Sequence, residues 1–127
     1  MTTVRVEFGE GAYAQTISVR DHRVTSDEGA ELGGADRGPN PGELLLGALG
    51  SCVAITLQMY AGRKGWSLTN VQVDLSGHDE NGVYVIDRRL TFDGDLTDEQ
   101  RVRLTDIAGR CPVSKRLVGP VQIRRAV

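Results

Sequence analysis

The chain has 127 residues, a quarter of them charged, and its 15 basic side chains against 17 acidic ones leave a formal net charge of −2. A chain of this length buries roughly two thirds of its unfolded surface and needs no staple to fold. Its near-neutral balance supplies no general attraction to polyanions, so no nucleic-acid or membrane partner is expected. One domain spanning residues 1–127 is expected.

The start, Met1-Thr2-Thr3-Val4-Arg5, carries no basic segment followed by an apolar one, and the longest apolar stretch is broken by Gly47, Gly50, Ser51, Thr56 and Gln58. A cytoplasmic location is the expectation. Two cysteines, Cys52 and Cys111, are too few for the disulfide framework of a small secreted domain. They are either reduced core residues or present for their chemistry.

Val4, Val6 and Phe8 alternate with polar residues, and residues 15–20 repeat that period of two, so both read as strands. Residues 23–27 read as a third short strand. Four glycines between Gly29 and Gly38 then forbid a regular element and predict an exposed loop. Asn40-Pro41 opens a helix, with Asn as cap, Pro at the first position and Glu43 in the first turn. From Glu43 to about Gly62 this helix is apolar on nearly every side, which requires cover from the core or from a second subunit. Positions 45, 49, 52, 56 and 59 lie near one stripe of it.

Further on, Val71, Val73 and Leu75 alternate, as do Val83 and Val85 with Leu90 and Phe92 beyond, and Gly77 to Gly82 reads as the loop of a hairpin. Thr97 and Gln100 have capping-box spacing and start a second helix with Val102, Leu104, Ile107 and Ala108 on its apolar side. Cys111-Pro112 ends that helix, a short helical piece runs through Leu117, and Val121-Gln122-Ile123 predicts a last strand. Strands first, a buried helix, a hairpin and a second helix give the α+β class.

Few residues can carry chemistry. Cys52, Cys111, His22 and His78 hold no C-x-x-C or H-x-x-x-H spacing, so no metal is expected. Gly50-Ser51-Cys52-Val53 is not a nucleophile elbow, and the glycine-rich phosphate-binding patterns are absent, so no nucleotide or other organic cofactor is expected. By periodicity Cys52 is a small core hydrophobe. Cys111 stands where a helix ends at a proline and another begins, a setting that favours a thiolate but equally suits a buried spacer.

Two segments carry a resemblance. Gly38-Pro39-Asn40-Pro41-Gly42-Glu43-Leu44-Leu45-Leu46-Gly47-Ala48-Leu49-Gly50-Ser51-Cys52, followed by Arg110-Cys111-Pro112-Val113-Ser114-Lys115-Arg116-Leu117, resembles the OsmC/Ohr family of osmotically induced and organic hydroperoxide resistance proteins. The first segment is similar to the OsmC-like branch. The resemblance implies a homodimer in which antiparallel sheets wrap around central helices. It also implies a thiol peroxidase for organic hydroperoxides, with Cys52 as attacking thiol, Cys111 as resolving thiol and an external dithiol, such as a lipoylated protein, as reductant. By the same resemblance an arginine holds the thiolate and the peroxide: Arg20 is the first candidate and Arg37, in the glycine loop, the alternative.

The family glutamate that positions this arginine directly follows Asn-Pro in the hydroperoxide resistance proteins. Here that place is Gly42, and the carboxylate stands at Glu43. Nine residues at 100° put Glu43 about half a turn from Cys52, so Glu43 either serves the arginine or simply favours the helix dipole. The departure leaves a second class open, a protein that keeps the fold and binds a small molecule, or serves structurally, with little peroxidase turnover.

Overall fold

In the computed structural model, which describes residues 2–126, the chain forms two compact units, one up to Leu45 and one from Leu46. In the first unit the alternating segments form an antiparallel meander of β1 (Arg5–Phe8), β2 (Gln15–Val19) and β3 (His22–Ser26). Phe8 pairs with Gln15, and Val19 with His22 across a tight turn at Arg20 and Asp21. Beyond β3 a loop with one 3-10 turn (Ala30–Leu32) leads to α1 (Pro41–Lys64). Asn40 caps α1 reciprocally with Glu43: the Glu43 N–H donates to Asn40 Oδ1 and the Asn40 N–H to Glu43 Oε1, both at 2.8 Å.

The second unit holds most of α1, a long hairpin of β4 (Ser67–Glu80) and β5 (Val83–Asp95), and the helices α2 (Asp98–Ala108) and α3 (Pro112–Val118). β4 and β5 run well past the expected ends, and the connection is the two residues Asn81 and Gly82, both at positive φ, rather than the loop from Gly77 to Gly82. Asn-Gly supplies the twist of a tight hairpin. Polar residues on both faces near the tip, from His78 to Glu80, hide the period of two there.

One stripe of α1 is buried: Leu49, Val53, Leu57 and Ala61, four residues apart. It meets Leu104, Ile107 and Ala108 of α2, and Leu68, Val71, Val73, Leu75, Ile86, Leu90 and Phe92 from the sheet pack against this cluster. The expected stripe is therefore corrected by about 100° around the helix axis. Leu45 and Met59 are exposed, as is Ile55, while Cys52 lies half-buried beside the true line. A helix apolar all round offers no periodic signal for which face is covered. By length and a mean hydropathy of 1.7 over 18 residues, α1 also meets the criteria of a membrane span, as core helices can, and this chain buries 22% of that window.

α2 begins at the expected capping box, with the Gln100 N–H donating to Thr97 Oγ1 at 3.1 Å and the Thr97 N–H to Gln100 Oε1 at 2.9 Å. Val102, expected on its apolar side, is 71% exposed. It lies about 200° around the helix from Leu104. The expected strand at Val121-Gln122-Ile123 does not form: the segment has no ladder partner among the described residues, and a lone strand leaves its backbone groups unpaired.

Candidate active site

Cys52 sits on the fourth turn of α1, next in sequence to buried Val53, and is half-buried. Cys111 comes to it from the other end of the unit. α2 stops at Gly109, Arg110 bonds back to the Ile107 carbonyl, and Pro112, which can only begin a helix, starts α3. That leaves Cys111 as the N-cap of α3, fully buried among Leu49, Val53, Leu104, Ile107 and Ala108. Its Sγ accepts the Ser114 N–H at 3.3 Å.

The two thiols are free, and Cys52 packs against the buried cluster that contains Cys111. Burial pushes the Cys111 thiol up, and the neighbouring Cys52 pushes it further, while the backbone N–H groups of Ser114 and Val113 pull it down. The net direction is up. Cys111 thus keeps its proton more firmly than a free thiol, and Cys52 is the sulfur that a reagent from solvent can reach.

A concavity of about 420 Å³ is walled by Leu49, Tyr84, Ile86, Leu117 and Val118, with Ser114 and Arg88 as its polar members; neither cysteine lines it, but Leu49 and Ser114 each stand three residues from one. Tyr84, Ile86 and Arg88 share one face of β5, a pattern visible as simple alternation but given no role by the sequence reading. Among the described residues no three His, Cys, Asp or Glu side chains converge as metal ligands.

The other expected site residues all lie in the first unit. Arg20 occupies the exposed β2–β3 turn at φ +50°, where its carbonyl accepts an N–H of the Arg23 guanidinium at 3.2 Å. The Arg37 guanidinium pairs with Glu10 at 3.0 Å, and its backbone N–H donates to Asp27 at 3.2 Å. Glu43 is engaged by Asn40, so the helix-cap reading of this carboxylate has an observed contact. The structure brings together the two cysteines.

The profile described as OsmC-like protein matches residues 33–125, a span that includes both cysteines. The chain belongs to the OsmC-like protein family. No curated protein matches it. Solved structures share the fold of this OsmC-like chain: an OsmC-like protein from Mycoplasma pneumoniae superposes with a TM-score of 0.79 at 17% identity, covering 94% of this chain and 88% of that one. An organic hydroperoxide resistance protein OsmC from Legionella pneumophila gives 0.63 at 21%, over 94% and 90% of the two chains. An organic hydroperoxide resistance protein from Elizabethkingia anophelis, with thiocyanate bound, gives 0.68 at 20%, over 94% and 89%. Their mixed α+β architecture of antiparallel sheets with a long helix is the one expected from the sequence of this OsmC-like chain.

Proposed function

We propose that this OsmC-like chain is a thiol-dependent peroxidase that reduces organic hydroperoxides. The observation that carries the reading is a half-buried thiol, Cys52, beside a fully buried one, Cys111, that caps a helix. In the proposed cycle the Cys52 thiolate attacks the distal oxygen of ROOH. The O–O bond breaks, ROH departs after taking a proton, and Cys52 is left as the sulfenic acid. Cys111 then attacks the Cys52 sulfur, forming the disulfide and expelling water. An external dithiol, by family resemblance of the lipoyl type, returns both cysteines to thiols as it closes its own disulfide.

Several features support this reading. The organic portion of a hydroperoxide suits the largely apolar concavity whose wall includes Leu49 and Ser114, each three residues from a cysteine. Similar folds are named for organic hydroperoxide resistance. The cation that favours the thiolate is assigned to Arg20 or Arg37 on the strength of the family resemblance. A second copy of the chain is the proposed cover for the open face of α1, where Leu45, Ile55 and Met59 are 40%, 50% and 61% exposed. A cytoplasmic setting, where thiols are held reduced, completes the proposal.

Mixing the reduced protein with cumene hydroperoxide in a stopped-flow instrument tests the function. A sulfenic acid trapped on Cys52, then a Cys52–Cys111 disulfide within seconds, is the expected result. Unchanged thiols over that time, or oxidation that survives Cys52→Ser, reject it. A small-molecule binding role is favoured by one observation, the engagement of Glu43 in the helix cap next to Gly42. Ligand retention in the concavity with unchanged thiols would select it.

A further inference from the structure

Arg88 stands on the apolar face of the β4–β5 hairpin. Ile86, Leu90 and Phe92 of β5 pack against the core, and Arg88 falls between Ile86 and Leu90 in the same period of two. Its partner across the hairpin is Leu75, which also packs against the core. α1 comes so close to this face that a Cβ at Gly50 would lie 2.9 Å from Leu75 Cδ1. A guanidinium placed there costs desolvation unless it reaches water or an anion.

No carboxylate among the described residues pairs with it. The ion pairs they form join Arg37 to Glu10, His78 to Glu80 and Asp87, and Asp106 to Arg103 and Arg110. Asp87 and Asp74, its acidic neighbours on the hairpin, fall on the opposite face by the same alternation. Asp87 faces His78 there, and Asp74 accepts from Gln72 Nε2 at 3.1 Å.

Arg88 borders the concavity of about 420 Å³ whose wall is otherwise largely apolar, with Leu49 from α1, Ile86 from β5, and Leu117 and Val118 from α3, all within the second unit. Tyr84 forms one side. Its ring lies along the neighbouring strand because Gly77 has no side chain: a Cβ there would stand 2.0 Å from the Tyr84 hydroxyl oxygen. Gly77 pairs with Ile86, so the hydroxyl is carried toward the Arg88 end of the strand. Tyr84 and Val118 are 46% and 87% exposed, and the wall thus offers apolar area to a ligand from solvent.

We infer that the concavity binds an amphipathic carboxylate, with Arg88 recognising the anionic head and Leu49, Ile86, Leu117 and Val118 taking the aliphatic chain. A carboxylate satisfies the guanidinium fork with two hydrogen bonds, and the chain removes the apolar wall from water. A neutral chain leaves Arg88 unpaired, and a cation is repelled by it. The Tyr84 hydroxyl is a second donor on the same side. The inference concerns binding and does not rest on turnover at Cys52, since neither cysteine lines the concavity.

The test is an NMR titration of the reduced protein with octanoate, and with octanol and octylammonium as its neutral and cationic counterparts. Octanoate is expected to bind about tenfold more tightly than octanol, with octylammonium weaker still, and to shift amides of residues 84–88 and 114–118. Arg88→Gln, a change at an exposed position, is expected to lower octanoate to the level of octanol and to leave octanol unchanged. Arg88→Lys, which keeps the charge without the fork, is expected to restore part of the preference. Equal affinities for octanoate and octanol, absence of octanoate binding, or shifts confined to other residues overturn the inference. So does a preference that survives Arg88→Gln, the result expected if Arg88 only extends its head along the wall into water. Failure of Cys52 to oxidise with cumene hydroperoxide rejects the peroxidase reading and leaves this inference standing.

Discussion

The backbone N–H of Ser114 donates to the Sγ of Cys111 at 3.3 Å, so a buried thiol closes the first turn of α3 in the way a capping oxygen would. Burial and Cys52 together outweigh that N–H and its Val113 neighbour, and the folded thiol holds its proton more tightly than the unfolded one. A group raised in this sense contributes stability that is complete below the ordinary thiol range of about 8.5 and falls away as pH rises beyond it. Denaturant unfolding of the reduced protein between pH 7 and pH 10 is expected to show a steeper loss of stability in wild type than in Cys111→Ala. Parallel slopes would remove the basis for this assignment.

Exposure separates the two thiols in a second way. Cys111 has no accessible surface and Cys52 is half-buried. Iodoacetamide is expected to modify Cys52 about tenfold or more ahead of Cys111 in the native protein. Peptide mapping by mass spectrometry at short times checks it, and equal labelling would show that Cys111 is reached without unfolding.

Leu57 and Leu104 are both fully buried in the cluster that surrounds Cys111. Either truncated to Ala removes apolar contact and leaves a cavity, at a cost of about 2–5 kcal/mol. Chemical denaturation is the measurement. A cost well under 1 kcal/mol would mean that this cluster is not the core that seats the cysteines.

Gly94 stands at φ +131°, where a Cβ would fall 1.8 Å from the Ser67 carbonyl oxygen, beside the register shift between Leu68 and Asn70. The bulge is therefore closed to any side chain. Gly94→Ala is expected to cost more than the about 1 kcal/mol typical of a point substitution and to disturb the β4–β5 pairing. Amide shifts of residues 67–70 and 92–95 report it, and a neutral substitution would contradict the geometry.

The reciprocal bonds between Asn40 and Glu43 give the helix-cap reading of this carboxylate an observed contact. Glu43→Ala is expected to cost about 1 kcal/mol of stability, with little further loss when Asn40 is also changed, because the two side chains form one unit. Unaltered stability together with a large loss of Cys52 oxidation would place Glu43 in the chemistry instead.

Much of the local structure is legible in the chain itself. Thr97 and Gln100 announce the start of α2, Cys111-Pro112 marks the junction with α3, and alternation locates β1 to β3, because capping, proline sterics and the strand period act over a few residues. The two cysteines are also legible as the chemically unusual residues, through their settings and the family resemblance.

What only the tertiary structure decided are the features set by segments distant in sequence. The buried line of α1 runs through Val53 and Leu57 because α2 and the sheet cover that side, a choice no pattern within a uniformly apolar helix can encode. Val121 to Ile123 has the composition of a strand and no ladder partner among the described residues. Cys111 lies beside Cys52 because the α2–α3 junction is folded onto α1, and Arg37 is fixed because Asp27, ten residues earlier, turns its carboxylate into the glycine loop. Local sequence names the groups able to react, and it is long-range packing that decides which of them meet, since burial and backbone N–H groups arriving from elsewhere set both their positions and their protons.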